Sequence, residues 1–515
     1  MDVNITMASW VSGHAKRTPE KAALVFKGER ISYAALDARV KQVAGGLREA
    51  GARKGDRVAA LLLNCPELLV LLLACNHVGA IFLPINFRLS AEEVAFILND
   101  ATPEVFAYHT VFEPIAIKAR SSTRVHTWLR VDDAPGKDER SWKSLYEGQP
   151  TKLLPEAVSS DDPAMMMYTS GTTGQPKGAL LSHGNLLWND VQVLLSVPAQ
   201  DDDLNYCAAP LFHIGGLNVL TGPMVYRGGT TLIDDKFNPE ATLETLAREK
   251  VTCSFMVPAM WGALAAVPDF DKYDLSSLRY SIVGGAPCPL TVLEFYKKRG
   301  IRFQEGFGLT ETSPIVCLLA AEDGIRKNGS VGHPAAHVEV RIVDESDNDV
   351  PGGEPGELLV RAPNVMLGYW NRPEATREAL RGGWFHTGDL ARRDEEGFLY
   401  IVDRKKDMVI TGGENVYSAE VEQVLYRHPA VAEVAVIGVP DERWGEAIVA
   451  VIATKEGEKS PTLEEMAAFC EGKLARYKKP RRVESVKALP RNATGKVLKN
   501  DLRVMFGGAK SAVKR

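Results

Sequence analysis

The sequence predicts an α/β protein in three parts: a large N-terminal domain of layered α/β subdomains, a β-rich subdomain at its end, and a small α+β C-terminal domain. Three observations carry this. Short apolar, strand-like runs alternate with segments of helical period from Ile31 to Val283, the pattern of a layered α/β domain. Between about 331 and 400 the texture changes to short β-rich pieces separated by Pro-Gly-Gly and Glu-Pro-Gly turns. A charged run, Asp403-Arg404-Lys405-Lys406-Asp407, then precedes a new compact α+β pattern. The expected division is residues 1–403, a boundary at 404–407, and residues 408–515.

Taken in order, apolar residues recur at helical spacing from Ile31 to Gly51, and Asp56 to Leu63 reads as a buried strand. Leu68 to Ile85 is the most membrane-like stretch, but Asn76, His77 and Gly79 interrupt it and Asn64, Pro66 and Glu67 open it as a helix start. It reads as a buried helix followed by a strand near Pro84. Strands are expected at Glu104–Tyr108, Ala164–Tyr168, Thr230–Ile233, Cys253–Val257 and Tyr280–Val283, with helices over Asn185–Val197 and Ala241–Lys250. In the β-rich part, Val338–Val343 and Gly356–Val360 are the clearest strands. After the charged run, Ala419–His428 reads as a helix and Val431–Val439 as a strand, and the tail Lys510–Arg515 reads as frayed.

A chain of 515 residues exceeds one compact core, and 45% hydrophobic residues suffice for several. The net charge of −5 gives no overall basic footprint, so nucleic acid is not an expected partner. Seven cysteines without Cys-x-x-Cys spacing suggest reduced thiols and a reducing, cytoplasmic compartment. Met1 to Arg17 has no basic-then-apolar signal pattern, so secretion is not expected.

The run Tyr168-Thr-Ser-Gly-Thr-Thr-Gly-Gln-Pro-Lys-Gly178 is the first candidate site. Gly171, Gly174 and Gly178 let the backbone approach a ligand closely, Thr169, Ser170, Thr172 and Thr173 offer hydroxyls, and Lys177 adds a point charge suited to polyphosphate. A Walker A loop ends Gly-Lys-Ser/Thr; here Lys177 precedes Gly178 and Pro176 would fit badly at a helix mouth, so an ordinary P-loop kinase is disfavoured.

Further signals follow in order: Gln304-Glu-Gly-Phe-Gly-Leu-Thr-Glu311, Trp384-Phe-His-Thr-Gly-Asp389, Asp403-Arg404, and Pro490-Arg-Asn-Ala-Thr-Gly-Lys496. With the glycine loop they resemble the adenylate-forming superfamily of acyl-CoA synthetases, firefly luciferases and peptide-synthetase adenylation domains. The resemblance runs from Thr18 to Lys496, and Gly412 to Glu422 looks most like bacterial fatty-acyl-CoA and hydroxycinnamoyl-CoA ligases.

The resemblance implies ATP, Mg²⁺ and coenzyme A, and a two-step reaction in which a small-molecule carboxylic acid becomes an acyl-adenylate and then a thioester. It implies that Glu311 and Thr169 meet the metal ion, a role that suits Mg²⁺ because that ion keeps few protein ligands. Gly284, Gly285 and Ala286 would pass beside adenine, Phe307 would stack on it, and Glu305, Gly306 and Thr310 complete that motif. Many relatives carry glutamine where Glu305 stands, which leaves open whether Gln304 or Glu305 faces the base. Asp389 would accept from the ribose hydroxyls and Arg404 would contact ribose and phosphate. Lys496 would span carboxylate and α-phosphate during adenylation. Lys406 aligns with the family pivot at 404–407, which makes the C-terminal domain mobile and brings Gly412 and Gly413 to the pantetheine tunnel.

The acyl segment matches Phe212-His213-Ile214-Gly215-Gly216-Leu217, with His213 and Gly215 at the acyl site and Val283, Ala286, Ile315 and Val316 as apolar neighbours. The acidic residue that amino-acid-activating relatives need is missing there. The pocket therefore predicts a medium- or long-chain fatty acid, with a hydroxycinnamate or benzoate-type aryl acid as the alternative. A luciferase-like oxygenase and a carrier-protein acyl-AMP ligase share the first half-reaction. The basic group Arg476, Lys478, Lys479, Arg481 and Arg482 has three readings: CoA phosphates, weak contact with an anionic membrane surface, or a solvated helix end. A monomer or homodimer is expected.

Two predictions follow from the implied roles. Lys496→Ala loses adenylation by several orders of magnitude yet still converts supplied acyl-adenylate to thioester; equal loss of both half-reactions, each assayed alone, would contradict it. Lys406→Pro, by fixing φ, spares adenylation and blocks thioester formation, and an unchanged CoA-dependent rate would refute the pivot.

Overall fold

The computed structural model describes residues 5–132, 134–169, 176–405, 407–411, 414–491 and 497–507. By internal contacts the chain forms two units, Met1–Glu339 with Val360–Phe385, and Val340–Leu359 with His386–Arg515.

The first unit holds two large sheets. In the nine-stranded sheet, six parallel strands lie side by side in the order Ala22–Phe26, Thr230–Ile233, Leu204–Cys207, Cys253–Met256, Tyr280–Gly284 and Phe303–Gly308. Antiparallel strands flank them: Glu29–Ser32 on one side, and Ile315–Leu319 followed by His333–Pro334 on the other. Its parallel strands are short, and even polar residues on them, such as Asn205, Ser254 and Ser281, are fully buried, as on strands covered on both faces. The eight-stranded sheet centres on Arg57–Leu61, Ile81–Pro84 and Val105–Tyr108 and ends in the hairpin Pro163–Thr169 with Lys177–Ser182, which Gly368–Tyr369 extends.

The expected elements appear with small shifts at their ends, including helices Tyr33–Glu49, His183–Ser196 and Pro239–Arg248. The membrane-like stretch is helix Pro66–Val78 and strand Ile81–Pro84; from Leu68 to Val78 every residue is buried. No helix among the described residues is long and apolar enough to cross a membrane. All seven cysteines are buried free thiols, as expected. Helix Met7–Arg17, which sequence periodicity did not single out, is capped by Thr6, whose hydroxyl accepts from the Ser9 amide.

The second unit carries a four-stranded sheet, in the order Glu339–Val343, Gly356–Arg361, Phe385–Arg393, Leu399–Arg404, which is the β-rich stretch expected near 331–400. Beyond it, helix Ser418–Leu425 packs on the long antiparallel pair Val431–Asp441 and Gly445–Thr454, the α+β pattern read from residues after 407.

One hydrophobic core of the first unit surrounds Trp261, fully buried, with its ring edge-on to Tyr296 at 5.2 Å and to Phe303 at 4.6 Å. Trp261→Ala leaves a cavity that costs about 3–5 kcal/mol. The chemical-denaturation midpoint should fall accordingly; an unchanged midpoint would mean that this cluster does not hold the unit together.

Candidate active site

The glycine loop hangs from an antiparallel hairpin. Strand Pro163–Thr169, with Ala164 to Met167 buried, pairs with Lys177–Ser182 in the register Tyr168 to Gly178 and Thr169 to Lys177. Ser170, Gly171, Thr172, Thr173 and Gly174 lie outside the described residues. The base of the hairpin is tied elsewhere by Asp100: its carboxylate accepts from the Tyr168 hydroxyl (2.7 Å) and from Arg372 Nη2 (2.7 Å), and its carbonyl from Trp370 Nε1 (3.1 Å).

Glu311 sits in the turn Thr310–Thr312 and is only 9% exposed. Its Oε1 accepts from the Thr169 hydroxyl at 3.3 Å and from the Tyr369 hydroxyl at 3.0 Å, and its carbonyl accepts from the Met366 amide at 2.8 Å. Lys177 Nζ lies 5.3 Å from the centre of the Tyr369 ring, a cation–π distance. Thr169, Lys177 and Glu311, expected to act together, are thus brought together, and Tyr369 joins them. Tyr369 was missed because 58 residues separate it from Glu311, and a lone tyrosine in Gly-Tyr-Trp carries no spacing signal. Gly308, just before this turn, has a strict reason to be glycine: a Cβ there would sit 1.8 Å from the Pro314 carbonyl oxygen.

Two neighbouring strand ends hold the residues expected beside adenine. Gly284 pairs with Gly306, and a Cβ on Gly284 would stand 2.8 Å from the Gly306 carbonyl oxygen. Gly285 has φ +84°, and Gly285 and Ala286 are exposed beside half-buried Phe307. Strand alternation sends Gln304 and Glu305 to opposite faces. Gln304 Nε2 donates to the Ser196 carbonyl at 2.9 Å, whereas Glu305 Oε2 accepts from the Cys288 amide at 3.4 Å, just past Gly285 and Ala286. Burial pushes the Glu305 carboxyl up to about 7.

At the acyl segment, His213 caps a helical turn, its Nδ1 accepting from the Gly215 amide at 3.1 Å. Ile315 is buried, and its amide donates to Asn189 Oδ1 at 3.1 Å. Asn189 Nδ2 donates in turn to the Asn218 carbonyl at 2.8 Å, and Asn218 Nδ2 to the Ser313 carbonyl at 2.6 Å. Phe255, not anticipated from sequence, is half-buried next to Gly215 and Gly284. Val283, expected among the pocket residues, instead lies on the other face of its strand, buried with Met256, Trp261 and Cys288. Sequence could not assign that face, because Ile282 and Val283 are both apolar and both buried.

In the second unit, Asp389 is 4% exposed and pairs in register with Arg404, whose Nε lies 3.4 Å from Asp389 Oδ1. Gly388, with φ +70°, accepts through its carbonyl from the Lys405 amide at 2.9 Å. Asp403 accepts from the Ser418 hydroxyl at 3.0 Å, and burial raises its pKa. Lys499 pairs with half-buried Glu422 at 2.8 Å, and Arg503 with Asp407 at 2.9 Å. Lys406, Gly412, Gly413 and Lys496 lie outside the described residues; strand partners Thr411 and Glu414 flank the glycines, and the bridged residues Arg491 and Val497 flank Lys496. In the basic group, Lys478 pairs with Glu420 at 2.7 Å, Arg482 pairs with Glu484 at 2.7 Å, and Lys479 pairs with Glu471.

The model of an AMP-binding enzyme matches residues 11–370, and that of the AMP-binding enzyme C-terminal domain matches residues 420–496. The chain belongs to the AMP-binding enzyme family. A feruloyl-CoA synthase from Amycolatopsis is 43% identical over 504 residues, covering 98% of this chain and all of that protein. An indoleacetate–CoA ligase from Aromatoleum aromaticum is 40% identical over 501 residues, covering 96% of this chain and 97% of that protein. The solved structure of a Mycobacterium tuberculosis fatty acyl CoA synthetase superposes with a TM-score of 0.80 at 34% identity, covering 98% of this chain and 99% of that one. The fold and the function class expected from the motifs are therefore right: this is an adenylate-forming, AMP-forming acyl-CoA synthetase, an acid–thiol ligase that binds ATP.

Glu305 generates a pH prediction. Its folded-state pKa of about 7 lies above the ordinary 4.5, so between these values the folded protein keeps a proton that the unfolded chain has released. Stability from this site is present at low pH and falls as pH rises through that window. In Glu305→Gln this slope disappears, so the melting temperature of the variant should gain on the parent between pH 4.5 and 7. Parallel curves would contradict the assignment.

Proposed function

We propose that this synthetase activates a carboxylic acid bearing an aromatic ring, of the hydroxycinnamate or arylacetate kind, and transfers it to coenzyme A. The observation that carries this is the pair of nearly full-length relatives at 43% and 40% identity, whose names specify feruloyl and indoleacetyl groups. The fatty-acid reading that sequence put first has weaker support, a likeness to a fatty acyl CoA synthetase at 34% identity. Apolar Phe255 beside Gly215, and Ile315 near Gly306, suit a flat ring.

Each residue has a task that its setting suits. Lys177 and the hydroxyls of 169–173 hold the β- and γ-phosphates while pyrophosphate leaves. Phe307 stacks on adenine against the bare backbone of Gly284 to Ala286, and Glu305 reaches the base from the Cys288 side. Asp389 accepts from the ribose hydroxyls, a task that requires Arg404 to release or share its carboxylate. The Glu311 carboxylate and the Thr169 hydroxyl that donates to it at 3.3 Å are oxygen ligands that suit a hard cation keeping most of its waters. Mg²⁺ bound there supplies charge neutralisation to the phosphates. Lys496 bridges carboxylate and α-phosphate as charge develops between them. The C-terminal part then turns at 404–407, with Lys406 as pivot, and Gly412 and Gly413 pass beside the pantetheine arm of CoA.

AMP release measured over hydroxycinnamic, arylacetic, benzoic and fatty acids, with and without CoA, tests the reading. CoA-dependent kcat/KM should be highest for an aryl acid, by about tenfold or more over any fatty acid, as a few poorly filled pocket contacts produce. A fatty acid as the best substrate would overturn it.

A further inference from the structure

We infer that Asp190, on helix His183–Ser196, is a positioning residue for adenylation that works as a neutral carboxylic acid: its O–H donates to Asn218 Oδ1, and Asn218 in turn holds the segment between Glu311 and Ile315. The inference rests on the role given above to Glu311 and is independent of which acid the enzyme takes.

Asp190, Asn189 and Asn218 are each fully buried. Asn218 lies on a wide, π-helical turn, Leu217–Thr221, that continues the acyl segment, and the Gly222 amide closes it by donating to the Leu217 carbonyl, five residues back. The Asn218 side chain reaches the turn after Glu311, its Nδ2 donating to the Ser313 carbonyl at 2.6 Å. That contact settles which end of the amide is nitrogen, and it leaves Asn218 Oδ1 an acceptor with no hydrogen-bond partner among the described residues. Asp190 Oδ1 accepts from Asn189 Nδ2 at 3.2 Å, and Asp190 Oδ2 has no partner among the described residues either.

Gly222 brings the two side chains to one place. A Cβ on it would stand 2.3 Å from Asn218 Oδ1 and 3.1 Å from Asp190 Oδ1, so both end against the same bare Cα. An ionised Asp190 could only accept, which would set unsatisfied acceptors against each other in a buried interior. A proton on Asp190 supplies the missing donor. Burial favours that form, since it pushes the Asp190 carboxyl well above its ordinary value.

The consequence reaches the site. Asn189, next to Asp190 on the helix, accepts from the Ile315 amide at 3.1 Å, and Asn364 Nδ2 donates to the Thr312 carbonyl and, at 2.7 Å, to the Ile315 carbonyl. Buried amide side chains thus hold Thr312 to Ile315, and Asn218 keeps its place among them when its own oxygen is satisfied. Without the donor at Asp190, Asn218 is free to turn and the segment that follows Glu311 loosens, which slows the step that needs Glu311 in place.

The test separates the half-reactions in the full-length enzyme, using its best acid. Acyl-adenylate formation, and thioester formation from supplied acyl-adenylate, are measured for the parent, Asp190→Ala and Asp190→Asn. Asp190→Ala should lower kcat/KM for adenylation about tenfold or more while changing thioester formation by less than about twofold. Asp190→Asn, whose amide can donate in the same place, should recover most of that loss. The infrared difference spectrum of parent minus Asp190→Asn at neutral pH should hold the C=O stretch of a protonated carboxyl, moved by D2O. Absence of that band, or an Asp190→Asn enzyme as slow as Asp190→Ala, overturns the inference; so does equal loss in both half-reactions or parent-like adenylation by Asp190→Ala. If Asp190→Ala fails to fold, the band together with parent-like adenylation by Asp190→Asn supports the inference, and a missing band or slow adenylation by Asp190→Asn overturns it. Full adenylation by Glu311→Gln would overturn the role of Glu311, and this inference with it.

Discussion

The buried Glu311 carboxylate is the constraint on which the first unit's site is built. It is reached by a hydroxyl from the end of the glycine-loop hairpin and by a hydroxyl from a strand added much later in the sequence, and its own backbone is held by the Met366 amide. A carboxylate only 9% exposed is costly unless its oxygens are satisfied, so the three chain segments are obliged to meet there. Both hydroxyls converge on the same oxygen, Oε1, which fixes the plane of the group.

The surrounding structure serves that fixity. Asp100 joins Tyr168, Trp370 and Arg372, so the hairpin and the segment bearing Tyr369 share one anchor. Gly308 brings its backbone against Pro314, and Gly284 brings its own against Gly306, at separations that no side chain would permit. The open strand ends of a parallel sheet are where such approaches leave room for a ligand. Asn189 and Asn218 hold the Ile315 amide and the Ser313 carbonyl through buried hydrogen bonds.

The sequence made much of this legible. Strand Ala164–Tyr168, the layered α/β order and the change of texture near 331 all follow from local apolar patterns, and the structure has an element at each. The motif order implied the right family, and the coming together of Thr169, Lys177 and Glu311 was expected from it. What was not legible depends on contacts between distant segments. Tyr369 reaches Glu311 across 58 residues, and Phe255 is set apart from its neighbours only by which face of a doubly covered strand it occupies. Val283 was misplaced for the same reason, since the adjacent apolar Ile282 and Val283 give no sign of which faces which side. The acyl group was the hardest to read, because an apolar pocket selects by shape and no charged partner marks it.

One central claim follows, with the aryl acid as its proposed substrate: the protein joins a carboxylic acid to CoA through an acyl-adenylate, with the acid's own oxygen attacking the α-phosphorus. The most direct measurement follows that oxygen. With an aryl acid labelled with ¹⁸O in both carboxylate positions, ATP and CoA, mass spectrometry of the products should find one labelled oxygen in AMP and none in pyrophosphate. Label in pyrophosphate or inorganic phosphate, or AMP without label while thioester forms, would contradict the account.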